Sequence, residues 1–178
     1  MSKEIEVKVL NVDLEDMENK LIKLNAELIS EEEQHNIIFH AKEKTKALNP
    51  NTYLRIRESK NLLTDQVETK LTLKENRGNV KIRENMETTT SIDNVESMIY
   101  ILENLGYEIS SDGRKHRKSY LYENIRFDLD TWDKNTYPYP YMEIEVEDPK
   151  DLNKAVDLLE ISPNNISTKS IMELKKEL

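Results

Sequence analysis

Residues 4–10 alternate strictly: Glu4, Glu6 and Lys8 fall on one side and Ile5, Val7 and Val9 on the other. Period two of this kind predicts a β-strand. The spacing then changes. Leu14, Met17, Leu21, Leu24 and Leu28 recur three and four apart. That is the stripe of an amphipathic helix running from an Asp13 cap to about Leu28. Alternation returns in 34–40, 52–58, 66–74 and 80–89, with Asn76-Arg77-Gly78-Asn79 as a hairpin turn between the last two. A second helix is expected over about 92–105, where Ile92, Val95, Ile99 and Leu102 share a face and Gly106 follows as a C-terminal cap. Strands at 115–122, 124–132 and 141–147 and short helices at about 149–159 and 170–178 complete an α+β pattern. Pro138 and Pro140 exclude a regular interior strand between Trp132 and Tyr141.

Sorting each strand by parity separates aliphatic side chains from charges of both signs. Leu54 and Ile56 oppose Arg55 and Arg57, and Leu71 and Leu73 oppose Lys70, Thr72 and Lys74. Val80, Ile82 and Met86 oppose Lys81, Arg83, Asn85 and Glu87. Ile125, Phe127 and Leu129 oppose Arg126, Asp128 and Asp130, while Met142, Ile144 and Val146 oppose Glu143, Glu145 and Glu147. Two architectures fit: an open sheet with one wet face, or a sheet curled into a barrel with helices on its apolar outside and charges in its lumen. Charge type is graded along the chain. The first and last strong strands are rich in acid and the middle ones in Arg and Lys, as in a site that binds a cation in one region and an anion in another.

Composition narrows the chemistry. The 178 residues suit one domain, and 35 acidic against 26 basic residues give a net charge of −9. The absence of Cys removes disulfides, thiolate metal sites and a cysteine nucleophile, and fits a cytoplasmic setting. No apolar run approaches the ~20 residues needed to span a bilayer, and the acidic start is unlike a secretory leader. The three glycines form no phosphate-binding loop, so phosphate recognition would fall to side chains. The acidic total argues against a nucleic-acid partner but not against a local basic pocket.

Several of these strands resemble, in order, the signatures of the CYTH superfamily, the triphosphate tunnel metalloenzymes. Glu4-Ile5-Glu6-Val7-Lys8 resembles its E-x-E-x-K, Leu54-Arg55-Ile56-Arg57 its L-R-x-R, and Leu71-Thr72-Leu73-Lys74 its L-T-x-K. Lys115-His116-Arg117 with Tyr120 resembles K-x-R-x-x-Y, and Leu129-Asp130 with Glu143-Ile144-Glu145 resembles L-D … E-x-E. The resemblance implies a single domain over 1–178, an eight-stranded antiparallel β-barrel tunnel with helices packed outside. It implies a divalent-metal-dependent enzyme that processes a triphosphate-containing small molecule, and it admits a homodimer. Glu4, Glu6, Glu87, Asp130, Glu143 and Glu145 would be oxygen ligands for Mg²⁺ or Mn²⁺. Lys8, Arg55, Arg57, Lys74, Arg83, Lys115, Arg117 and Arg126 would grip phosphate, with Lys8 also a candidate catalytic group. Two departures matter. The second strand keeps Gln34 and Phe39 of Q-x-D-x-Y-F but carries Asn36 and Ile38, and Asn85 stands inside the R-x-E-x-E of the fifth. A glycine-containing segment that accompanies cyclases in this family is replaced by Thr131–Tyr141, which tilts the expectation from ATP cyclisation toward phosphohydrolysis. A non-catalytic polyphosphate- or nucleotide-binding module is another reading, and an ordinary α+β interaction domain with a wet sheet face is a further one.

Overall fold

The computed structural model describes residues 2–42, 52–76 and 83–178, and of residues 2–4 and 83 the backbone alone. Eight antiparallel strands close a barrel. They are β1 (Ser2–Val9), β2 (Glu27–Ala41), β3 (Thr52–Asn61), β4 (Val67–Asn76), β5 (Arg83–Ser91), β6 (Tyr107–Tyr122), β7 (Ile125–Trp132) and β8 (Tyr141–Val146). The order is β5-β4-β3-β2-β6-β7-β8-β1, and β1 pairing with β5 completes the ring. β1 does this with half of one edge: 2–6 pair with β5, while Lys8 and Val9 pair with a two-residue strand, β9 (Ile166–Ser167). Closure removes the exposed edges an open sheet would have, and the open-sheet alternative is set aside. The expected turn at 76–79 falls largely within 77–82, outside the described residues.

The aliphatic face points outward, under helices. Ile5, Val7, Val9, Phe127, Leu129, Met142 and Ile144 form one core with Met17 and Leu21 of α1 (Leu14–Lys23) and Ala155 of α3 (Pro149–Leu158). Ile37, Phe39 and Ile56 form a second with Leu102 of α2 (Val95–Asn104). Each such side chain buried in full contributes about 1.5–3 kcal/mol. Asp13 caps α1 by accepting from the backbone N–H of Glu15 and Asp16, and Asn94 caps α2 through Ser97. A third cluster, Tyr137, Tyr141 and Leu174, with Trp132 and Ile171, seats the short α4 (Ile171–Lys175) at the end of the barrel where β7 finishes and β8 begins.

Three elements differ from the sequence expectation. α1 stops at Lys23, because Asn25 adopts the left-handed conformation (φ 58°) and Ala26 N–H bonds back to Leu21 C=O; Leu28 belongs to β2. β2 is fifteen residues long and β6 sixteen. Each carries an irregularity, where Ile29 and Ser110 are passed over in the ladder. A bulge reverses the phase of every side chain beyond it. Thus Leu28 pairs with outward-facing Tyr120, whereas Ser30 pairs with buried Ser119.

Candidate active site

Inside the barrel the charged face encloses a cavity of about 250 Å³. Register explains its polarity. β1 is first in sequence and β8 nearly last among the strands, yet they are neighbours, so Glu6 stands opposite Glu145 and Lys8 opposite Glu143. The basic strands β3 and β4 lie together across the ring. On the β2–β5 side Arg55, Arg57 and Lys74 line the cavity against one carboxylate, Glu87. On the β6–β8 and β1 side Lys8, Lys115, Arg117 and Arg126 line it with Glu6, Glu143 and Glu145, and buried Asp128 and Asp130 stand behind them. One wall is therefore a net anion receptor. The other is slightly acidic.

The second wall is held by a dense ion-pair network. Asp130, with 0% of its surface exposed, accepts from Lys115 Nζ at 2.9 Å and from Arg117 Nε and Nη2 at 2.7 and 2.6 Å. Arg117 also meets Glu143 and, at 2.5 Å, Asp128 Oδ2, a close approach without hydrogen-bond geometry. Asp128 Oδ1 accepts from Arg126 Nε at 2.8 Å, and Arg126 donates to Ser119. Lys8 Nζ lies 3.0 Å from Glu143 Oε1 and 3.9 Å from Glu6. Burial works against the charge on Arg117, but Asp128, Asp130 and Glu143 outweigh it and raise its pKa. Burial likewise opposes Glu143, which Lys8, Arg117 and Lys115 hold well below the usual carboxylate range. Lys115 goes the other way. Burial, then the Arg117 charge, pushes its ammonium down to about 7 in spite of Asp130. Its Nζ also sits 5.3 Å from the centre of the Trp132 ring.

On the basic wall Lys74 Nζ lies 2.6 Å from Glu87 and 3.7 Å from Glu6, and Arg55 lies 3.7 Å from Glu87. Burial opposes the Lys74 charge, but Glu6, Tyr53 and Glu87 prevail and raise its pKa. Arg57 has no ion pair among the described residues; its Nε donates to Asn36 Oδ1 at 2.7 Å. Burial, then the like charges of Arg55 and Arg117, lowers its pKa to about 9.

The sequence-selected residues separate into three groups. Glu6, Lys8, Arg55, Arg57, Lys74, Glu87, Lys115, Arg117, Arg126, Glu143 and Glu145 line one cavity. Asp130 is fully buried behind it, engaged by two cations. The side chains of Glu4 and Arg83 lie outside the described residues. For a divalent ion, Glu6 and Glu145, on adjacent strands and both at the cavity wall, supply the hard oxygen chemistry that Mg²⁺ or Mn²⁺ takes. No group of three or more acidic or His side chains is gathered closely enough to hold an ion among the described residues. Glu143, Glu87 and Asp130 are instead engaged by cations.

The CYTH domain family model matches residues 2–173. The chain belongs to the CYTH domain family. A protein from Pyrococcus horikoshii superposes with TM-score 0.78 at 26% identity, over 96% of this chain and 98% of that one. A protein from Vibrio parahaemolyticus, named as a candidate adenylate cyclase, superposes with TM-score 0.74 at 17% identity, over 97% of each chain. A Hippeastrum protein, named as a candidate adenylyl cyclase with a dominant triphosphatase activity, gives 0.65 at 16% identity, over 96% of this chain and 91% of its own. At these last two identities the likeness speaks for the fold alone. No curated protein matches the chain. Among the described residues no helix is long and apolar enough to cross a membrane.

This CYTH barrel also uses residues that sequence reasoning left without a role. Asp128 is one, although its parity with Asp130 was a legible signal. Asn36 is another, noted only as a departure from the family strand. Ser170, Ile171 and Met172 bring the C-terminal segment to the cavity wall, a contact made 25 residues beyond the last barrel position it touches and carried by no local motif. His40 and Tyr53 reach the wall as well, their rings 6.0 Å apart.

Proposed function

We propose that this CYTH domain is a divalent-metal-dependent phosphohydrolase acting on a triphosphate, either tripolyphosphate or a nucleoside or thiamine triphosphate. The observation that carries this reading is the polarised lumen: among the described residues, three cations against one carboxylate on one wall, facing a wall with paired carboxylates. A triphosphate brings about four negative charges, which the uncompensated wall would receive through Arg55, Arg57 and Lys74. Arg offers forked, permanently charged donors and Lys a point charge. Glu6 and Glu145 would hold Mg²⁺ or Mn²⁺, which when bound supplies neutralisation of phosphoryl charge and polarisation of the attacking water, while Glu143 holds Lys8 and Arg117 beside them. Arg117 and Arg126, fixed by Asp128 and Asp130, face the cavity at set positions and would stabilise charge building on the leaving phosphate without reorganising. Lys8 sits between Glu6 and Glu143; there it keeps the two carboxylates apart and presents a cation to the substrate beside the metal ligands.

The segment that replaces the cyclase-associated glycine stretch favours hydrolysis. Tyr137 and Tyr141 pack there with Leu174 and against Trp132, where the cyclase-associated segment would carry glycine. The test is to incubate the pure protein with Mg²⁺ or Mn²⁺ and, separately, tripolyphosphate, ATP and thiamine triphosphate, and to identify the products. Orthophosphate release that is abolished by Glu6→Gln and Glu143→Gln is the expected result. Cyclic AMP with pyrophosphate would replace the hydrolase by a cyclase, and tight binding without turnover would make the barrel a polyphosphate-binding module.

A further inference from the structure

Six of the seven cations at the cavity wall are ion-paired, to Glu6, Glu87, Asp128, Asp130 or Glu143. Arg57 is the exception among the described residues, and the group against it is neutral. Asn36 of β2 is the register partner of Arg57 on β3 and of Gly113 on β6. Its Oδ1 accepts from Arg57 Nε, which orients the guanidinium plane and leaves the outer nitrogens to the cavity. Its Nδ2 has no hydrogen-bond partner, although Asn36 is only 2% exposed and lies on the cavity wall. A buried N–H without an acceptor is uncommon in folded proteins and calls for an explanation. An acceptor delivered by a ligand supplies one. The same site explains why an amide, and not a carboxylate, belongs here. An Asp at 36 would fix Arg57 equally well, but it would neutralise a cation that has no ion pair among the described residues, and it would carry no N–H.

We propose that Asn36 is a binding and positioning residue for the triphosphate: its carboxamide oxygen orients Arg57 while its N–H donates to the same phosphoryl group that Arg57 grips. This rests on the functional reading above. The low pKa of Arg57, about 9, is consistent with a guanidinium that lacks a counter-ion until an anion arrives.

The experiment is calorimetric titration of tripolyphosphate in metal-free buffer into wild type, Asn36→Asp, Asn36→Ser, Arg57→Gln and the Asn36→Asp/Arg57→Gln double variant. Thermal melts of each variant check the fold. Asn36→Asp should weaken binding by about ten- to a hundredfold, since it removes a donor and adds a like charge. Asn36→Ser, neutral and shorter, should weaken it several-fold. On the Arg57→Gln background the Asp substitution should cost less than alone, because the part of its effect that acts by neutralising Arg57 is gone while the lost donor and the added charge remain; a role for Asn36 in folding alone would give no such coupling. Wild-type protein that binds while Asn36→Asp and Asn36→Ser bind within twofold of it overturns the assignment and leaves the functional reading standing. Wild-type protein that binds no tripolyphosphate in metal-free buffer overturns the assignment, and if it also binds none with Mg²⁺ or Mn²⁺ added it overturns both.

Discussion

Asp130 is where the ion-pair network can be tested against the alternative of a metal ligand. Asp130→Asn keeps the shape and removes one charge. The carboxylate accepts three charge-assisted hydrogen bonds, at 2.9, 2.7 and 2.6 Å, in a place with no solvent exposure. Breaking a buried pair of this kind typically costs 3–5 kcal/mol. One feature sets the cost near the lower end: Arg117 keeps Asp128 and Glu143. The expected loss is therefore ~3 kcal/mol, which for a chain of this length lowers Tm by ~6–12 °C. The assay is a thermal melt in EDTA, with and without tripolyphosphate. The anion should raise Tm more in the variant than in the wild type, because the variant lumen carries one more uncompensated positive charge and binding to the folded state alone stabilises it. An unchanged Tm, or a ligand shift no larger than that of wild type, would refute the reasoning.

Other expectations follow from the same geometry. Leu21, with no exposed surface in the core under α1, should cost about 2–5 kcal/mol on truncation to Ala, read by urea denaturation; a loss under 1 kcal/mol would mean the helix is not docked as described. Gly113→Ala would place a Cβ 2.2 Å from Thr136 Oγ1, whose hydroxyl donates to Asp133. Thr136 must shift, and a loss of about 1–3 kcal/mol in the same assay is expected, against none if the loop gives freely. Lys115 binds fewer protons folded than unfolded between about pH 7 and its ordinary value of 10.5, so wild-type stability rises over that range. Lys115→Met lacks this rise, and its stability relative to wild type should fall by about 3 kcal/mol from pH 7 to 9.5. A difference that is flat with pH would contradict the buried, destabilised ammonium.

The barrel was largely legible because most strands keep a strict period of two, and because the ordered motifs fix which parity faces inward. The two longest strands were cut short in the sequence reading for a physical reason. Ile29 and Ser110 put a phase change near the start of each strand, and the stretches that follow, Ser30–Glu33 and Ser111–Arg114, carry no aliphatic side chain from which an alternation could be read. α1 was overextended because Leu24 and Leu28 continue the helical stripe; Leu24 does pack on the core, but as the cap residue after the helix has ended at Lys23. The charged residues of the cavity were found through parity and motif together. Their pairing was not. Nothing local says that Lys8 meets Glu143, 135 positions away, or that Asp130 turns toward Lys115 and Arg117. Such contacts come from the order β6-β7-β8-β1. Asn36 was visible as a departure from a motif, and its meaning needed the bond to Arg57.

The most direct measurement is a crystal structure of the protein soaked with tripolyphosphate. The phosphate chain is predicted to lie inside the barrel against Arg55, Arg57 and Lys74, with an oxygen within hydrogen-bond distance of Asn36 Nδ2. A chain bound on the outer surface, or an empty lumen at saturating ligand, would contradict the account.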